Sequence, residues 1–131
     1  MLPQPTQLPI RPRVDLPTVF GRAAEIVAKN GLTKDAFFNP DWPGPIGTAP
    51  VDLVGALRIA TCGSPDRDCP AARLAVQFVS LQFPGVAPET DGEPDYVEHV
   101  SVWNDLPGTT QADVVSRLRD LAVLASLAVA S

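Results

Sequence analysis

Apolar side chains recur at intervals of three and four residues in four windows of the chain, and no window has a proline in its interior. Residues at this spacing share one face of an α-helix, so each window predicts an amphipathic helix. Four such helices with few strand windows predict an all-α fold, a small four-helix bundle-like domain with long ordered loops. The predicted helices cover residues 17–30, about 51–62, 70–83 and 110–131.

Residues that favour helix ends flank these windows. Glycines 31 and 63 follow the first two helices and supply the left-handed stop. Asp68 is placed to cap the third helix, and Thr110-Gln111-Ala112-Asp113 resembles a capping box for the last. Gly55 lies inside the second helix, where glycine costs about 1 kcal/mol relative to alanine. It therefore predicts close approach of another helix at this point.

The stretch from Tyr96 to Trp103 is less clear. Val100 and Val102 alternate with Ser101 and Trp103, as in a short extended segment. A single strand without a partner leaves its backbone hydrogen bonds unmade. We therefore predict an ordered connector here.

Prolines mark the start of the chain, where five of the 15 lie within the first 17 residues. This density predicts an extended, polyproline-like arm over residues 1–14, followed by a single helical domain over residues 15–131. Within the arm, Leu8-Pro9-Ile10-Arg11-Pro12-Arg13 could dock on another chain as an extended peptide, which makes Arg11 and Arg13 candidate binding residues. The alternative is a disordered tail.

The charge and composition narrow the possible partners. A formal charge of −5 argues against nucleic-acid binding, which relies on basic side chains. One histidine and two cysteines are too few for a tetrahedral Cys/His zinc site. The opening residues lack the features of a secretory signal, and the apolar tail is shorter than a membrane span. We expect a cytoplasmic protein without a metal, a cofactor or a membrane contact.

Cys62 and Cys69 flank the predicted hairpin between the second and third helices. Such ends can come within disulfide reach, but thiols stay reduced in the cytoplasm. We therefore predict two free thiols, with a bridge as the alternative.

The sequence contains no phosphate loop, dinucleotide fingerprint or nucleophile elbow, which favours a non-enzymatic role. The most distinctive segment is Trp103-Asn104-Asp105, ahead of the last helix. Trp103 and Asn104 are candidate binding residues. In the alternative interpretation, His99 and Asp105 act as acid and base in a pocket beside Trp103, as in a small enzyme or ligand-binding protein. A structural turn with Trp103 packed on the last helix explains the same residues.

Two further segments could form contacts. The aromatic residues of Phe37-Phe38-Asn39-Pro40-Asp41-Trp42 either cap the core or form a partner-binding patch, in which Phe38 and Trp42 would take part. After Asp120 the chain carries no charge, so its end is either buried or forms a homodimer contact. The acidic stretch from Glu89 to Glu98 fits a solvated loop better than a docking surface or a calcium site.

The segments Val51–Ala60, Trp103–Asp105, Pro107–Thr110 and Asp113–Val115 resemble an uncharacterised family of small actinobacterial and actinobacteriophage proteins, over residues 16–125. The resemblance implies a helical fold and brings no catalytic residues. Eight arginines against two lysines also fit a GC-rich genome. Our hypothesis is a small cytoplasmic interaction or accessory protein, phage- or mobile-element-borne, that binds a protein partner.

Overall fold

A computed structural model describes the fold of residues 14–130 and the side chains of residues 14–128. The arm predicted for residues 1–14 lies outside the described residues except for Val14, and so do Arg11 and Arg13. Within the described range, five α-helices are joined by loops, a 3-10 turn at Ile46–Thr48 and a short antiparallel ribbon of β1 (Glu89–Thr90) and β2 (Glu93–Pro94). The helices are α1 (Leu16–Asn30), α2 (Leu53–Cys62), α3 (Pro70–Gln82), α4 (Tyr96–Asp105) and α5 (Gln111–Ala130).

The predicted all-α class is confirmed, but the bundle has a fifth helix where a connector was expected. Asp95 caps α4 by accepting a hydrogen bond from the Glu98 backbone N–H at 3.0 Å. Tyr96, Val100 and Trp103 face the core at helical spacing. The alternation of valines with Ser101 and Trp103 hid this spacing, because Val102 is an exposed apolar residue on the outer face.

Two of the predicted helix starts need correction. Val51 remains extended and pairs with the backbone of residues 31–33, so α2 begins only at Leu53. The N-cap of α3 is Cys69, because the Asp68 carboxylate accepts from the neighbouring Cys69 N–H instead of from the first turn. The capping box at the start of α5 is confirmed, since Thr110 and Asp113 exchange two side-chain to backbone hydrogen bonds.

Gly55 marks a close approach, but of a loop and not of another helix. A Cβ atom built there would lie 2.0 Å from the backbone oxygen of Phe37. The same loop oxygen accepts a hydrogen bond from the Asp52 N–H at 3.2 Å. The first turn of α2 is therefore seated against the segment that follows α1.

The core lies between α1, α2 and α5, with α3 and α4 closing one side. The Gln111 side chain at the start of α5 donates to the backbone oxygen of Val27 near the end of α1, so these two helices run antiparallel. Phe20, Leu57 and Leu118 are among the largest fully buried side chains. No helix within residues 14–130 has the length and apolar character needed to cross a bilayer.

Cys62 and Cys69 form a disulfide, so the prediction of two free thiols is wrong. Gly63, with a φ of 86°, reverses the chain directly after α2. This turn brings the Cα atoms of the two cysteines to 6.1 Å, within the range that a disulfide requires.

Candidate functional site

Two fully buried polar side chains meet where the start of α2 faces the end of α4. Asp52 is 2% exposed and Asn104 is completely buried. Buried polar groups need partners, because leaving one unsatisfied costs free energy. The hydrogen bonds of Asp52 and Asn104 therefore show which segments of the fold these side chains join.

Both polar atoms of the Asn104 side chain have hydrogen-bond partners, which lie in two other segments and in the next residue of α4. Its Oδ1 accepts from the Leu53 N–H at 3.0 Å, and its Nδ2 donates to the Thr33 backbone oxygen at 3.1 Å and to Asp105 Oδ1 at 3.1 Å. Leu53 is the first residue of α2, and its N–H is one of those that a helix start leaves unpaired. The side chain of Asn104 thus ties α2 and α4 to the loop after α1, and it has no exposed surface with which to contact a partner.

Asp52 caps α2 from within the core. Its Oδ1 accepts from the Gly55 N–H at 2.6 Å. Burial raises the pKa of Asp52 from 3.8 to about 7, because the charged form loses its hydration. The Gly55 hydrogen bond opposes this shift, and the neighbouring Asp105 carboxylate adds to it.

A cavity of about 250 Å³ opens beside this pair and is lined largely by acidic side chains. The lining residues are Asp35, Ala36, Phe37, Asp52, Glu98, Ser101 and Asp105. Two of the carboxylates already have structural tasks: Asp52 caps α2, and Asp105 accepts from the Asp35 backbone N–H at 3.0 Å. Within the described residues, no group of three or more His, Cys, Asp or Glu side chains is placed to hold a metal ion. The cavity is therefore best explained as part of the α2–α4 junction.

The residues of the predicted enzyme pocket lie in different surroundings. His99 Nε2 donates to the Pro84 backbone oxygen at 2.9 Å, and its Nδ1 lies within hydrogen-bond distance of the Ser80 hydroxyl, at 2.6 Å. Trp103 packs against Phe83, with ring centroids 5.0 Å apart. Asp105, in contrast, lines the acidic cavity, which includes neither His99 nor Trp103. His99 and Asp105 thus have different neighbours, and the cavity that Asp105 lines is not shared by His99.

Trp103 packs against the last helix as the structural interpretation predicted. The Arg117 guanidinium of α5 lies over the Trp103 ring, 5.5 Å from its centroid. The Trp103 backbone oxygen accepts from the Thr109 hydroxyl at 2.8 Å, which secures the chain between α4 and α5. The Trp-Asn-Asp segment is the last turn of α4, and the reversal expected there lies just after it.

In the aromatic loop, some of the rings cap the core, as one prediction has it, and another ring is partly exposed, as the patch prediction requires. Phe37 and Phe38 pack against the core, and the Arg58 guanidinium lies 4.2 Å from the centroid of Phe37. Trp42 is 41% exposed, and its indole N–H donates to the Thr48 hydroxyl at 3.0 Å. Phe38 is thus a capping residue, whereas Trp42 presents part of its ring to solvent.

An apolar stripe lies on the outer face of α5. Val123, Leu124 and Leu127 are 62%, 40% and 63% exposed. They share one side of the helix, whereas Leu121 and Ala125 on the other side are buried in the core. We refer to Val123, Leu124 and Leu127 as the α5 stripe. Over residues 121–128 the last helix is therefore not buried all round, which disagrees with the first of the two alternatives weighed for it.

A protein-family model described as a family of unknown function, DUF6197, matches residues 11–124. The chain belongs to the DUF6197 family. The predicted resemblance to an uncharacterised family is confirmed at this level, and the match runs from before α1 to the first residues of the α5 stripe. No curated protein and no solved structure matches the chain.

The sequence analysis does not single out Asp52, the buried acid of this DUF6197 domain whose pKa is raised. An aspartate directly before an apolar helical run is a typical N-cap, so the signal was present in Val51-Asp52-Leu53. The apolar spacing alone places the helix start at about residue 51, ahead of this aspartate. The burial of Asp52 has no such local signal, because it depends on α4 and the loop after α1.

Proposed function

We propose that this DUF6197 protein is a non-enzymatic interaction protein that binds a protein partner through the α5 stripe. The main observation behind this proposal is that Val123 and Leu127 are exposed on a helix whose opposite face is buried in the core. Adjacent exposed apolar side chains lose unfavourable hydration when a partner covers them. The separation of His99 from the acidic cavity of Asp105 supports a binding role over the catalytic alternative.

The partner that fits best is an amphipathic helix with an apolar face and a net positive charge. The protein carries a charge of −5, and the one ion pair within residues 14–128 joins Arg73 to Asp68. Most exposed acids therefore have no basic side chain beside them, which favours a basic partner. An apolar face on that helix would cover the stripe at i, i+3, i+4 and i+7 spacing.

A second copy of the chain fits less well. Two copies bring equal negative charges together. A stable interface also buries about 800 Å² on each partner, and three partly exposed side chains supply only part of that area. The homodimer predicted as possible from the sequence is therefore the competing outcome of the test.

We propose that the protein acts in the cytoplasm and that it comes from an actinobacterium or from a phage that infects one. The support is compositional: eight arginines against two lysines, with abundant alanine and proline, fit a GC-rich genome.

The test uses a fluorescein-labelled model peptide of leucine and lysine with leucines at i, i+3, i+4 and i+7, and a leucine-glutamate peptide as its charge-reversed counterpart. Fluorescence anisotropy measures binding to the full chain and to two charge-neutral variants. Leu127→Gln removes one side chain of the stripe. Val86→Gln is the matched control, because Val86 is 90% exposed in a loop outside α5.

We expect the lysine peptide to bind the full chain and the Val86→Gln variant equally, and Leu127→Gln at least about tenfold more weakly, since one buried leucine contributes roughly 1.5–3 kcal/mol. Equal binding by Leu127→Gln and the full chain would refute the proposal. So would light scattering that finds a dimer of the full chain and a monomer of Leu127→Gln, because the stripe would then belong to a second copy.

A further inference from the structure

The Cys62–Cys69 disulfide joins two helix ends whose environments differ. Cys62 is the last residue of α2, and Cys69 is the N-cap of α3. The bridge closes a short hairpin of seven residues' separation at the molecular surface. Neither cysteine belongs to the hydrophobic core, so the fold does not rest on their burial.

The position of Cys69 favours its thiolate form once the bridge is open. A helix start presents unpaired N–H groups and a partial positive charge, which stabilise an anion there. No side chain caps α3, so these N–H groups are available to the Cys69 sulfur. Cys62 lies instead at the C-terminal end of α2, where the partial negative charge of the carbonyl groups disfavours a thiolate.

Polar contact and solvent access complete the arrangement. Thr61 Oγ1 lies 3.3 Å from Cys62 Sγ and 3.7 Å from Cys69 Sγ, while its hydroxyl donates to the Leu57 backbone oxygen at 2.7 Å. Both cysteines are partly exposed, and the adjoining residues Gly63 and Asp68 are exposed. A small thiol can therefore reach the bridge without unfolding of the helices.

We propose that Cys62 and Cys69 form a thiol–disulfide exchange site for low-molecular-weight thiols. In the reducing direction, the thiolate of the small thiol attacks Cys62 Sγ, the S–S bond breaks, and Cys69 leaves as the thiolate that α3 stabilises. A second small thiolate attacks the outer sulfur of the mixed disulfide and releases Cys62, which takes up a proton. Two small thiols are thereby oxidised to their disulfide while the protein disulfide is reduced to two thiols. The reverse sequence closes the bridge.

This assignment explains how the bridge fits the proposed cytoplasmic setting. Disulfides in reducing compartments are mostly transient and redox-responsive, whereas permanent ones belong to oxidising compartments. The site is independent of the α5 stripe, so the two proposals stand or fall separately.

The first experiment equilibrates the full chain with reduced and oxidised glutathione at several ratios and counts free thiols by alkylation and mass spectrometry. We expect the bridge to open and reclose across these ratios while circular dichroism stays helical. A bridge that remains closed at all ratios in the folded protein would overturn the proposal.

The second experiment compares single-thiol variants. Cys62→Ser leaves Cys69 as a lone thiol, and Cys69→Ser leaves Cys62. We expect Cys69 to react with iodoacetamide about tenfold faster than Cys62 below neutral pH, where the thiolate fraction limits the rate. Trapping the wild-type reaction should find glutathione on Cys62. Equal alkylation rates, or glutathione found on Cys69 alone, would contradict the proposed roles.

Discussion

The carboxamide oxygen of Asn104 accepts a hydrogen bond from the backbone N–H of Leu53, 51 residues earlier in the chain, at 3.0 Å. One side chain at the end of α4 thereby satisfies the start of α2. Its amide group reaches the loop after α1 as well, through the Thr33 oxygen. A single residue thus contacts both of the other segments that meet at this junction, alongside the Asp35–Asp105 and Asp52–Phe37 hydrogen bonds.

Substituting Asn104 should therefore be costly. Asn104→Ala leaves the Leu53 N–H and the Thr33 oxygen unpaired in a buried site, and each such loss costs about 1–3 kcal/mol. We expect the free energy of unfolding in urea to fall by roughly 3 kcal/mol or more. Asn39→Ala is the control, because Asn39 makes an exposed local hydrogen bond to the Asp41 N–H, and it should change stability by less than about 1 kcal/mol. Equal losses for the two variants would contradict this account.

The raised pKa of Asp52 predicts that this residue makes the protein less stable as the pH rises. The folded protein holds the Asp52 proton up to about pH 7, whereas the unfolded chain releases it near 3.8. Between these values the folded state binds more protons, so the free energy of unfolding falls with increasing pH. We expect Asp52→Asn to remove this slope and to be more stable than the wild type at pH 8, by up to about 4 kcal/mol. Asparagine keeps the oxygen that caps Gly55, so the N-cap survives.

Asp113 serves as the control for this pH dependence, because its pKa is shifted in the opposite direction from that of Asp52. Hydrogen bonds from the backbone and the side chain of Thr110 lower the pKa of Asp113. Its stabilising effect is present above the unfolded pKa and is lost as the pH falls through the folded pKa. Asp113→Asn should therefore leave the slope between pH 5 and 8 unchanged. Urea titrations at several pH values would decide, and a wild-type slope retained in Asp52→Asn would refute the assignment.

Replacing glycine by alanine should change the stability in opposite directions at positions 55 and 21. A Cβ atom at Gly55 would meet the Phe37 backbone oxygen at 2.0 Å, whereas one at Gly21, inside α1, would meet nothing within 4 Å. Backbone cannot rotate away as a side chain can, so we expect Gly55→Ala to destabilise by about 3 kcal/mol or more, or to prevent folding. Gly21→Ala should stabilise by up to about 1 kcal/mol, because alanine is the better helix former. Thermal unfolding of both variants checks this, and a neutral Gly55→Ala would be incompatible with the close approach.

The sequence predicted those elements that local signals define. Gly31, Gly63 and the capping box at Thr110 mark helix ends through their own backbone preferences, and the structure places ends there. The α4 helix was missed because its inward residues are spaced helically but interrupted by the exposed Val102. A local pattern cannot show which of two valines faces the core.

The candidate site was less accessible to sequence reasoning. Trp103, Asn104 and Asp105 form a distinctive segment in the sequence, but their partners come from α2, α5 and the loop after α1. Such contacts depend on tertiary packing and leave no periodic signal. The prediction of free thiols at Cys62 and Cys69 is wrong for a different reason, because it follows from an expected compartment and not from the geometry of the hairpin.

The antiparallel packing of α1 against α5 also bears on how the chain acquires its fold during synthesis. The apolar face of α1, with Val19, Phe20 and Val27, emerges from the ribosome well before α5, which is its main covering helix. Until α5 is made, α2 and Phe78 of α3 cover this face only in part, and contacts between distant segments form slowly. The nascent chain should therefore be most prone to aggregation, and most dependent on chaperones, in the interval before α5 is released.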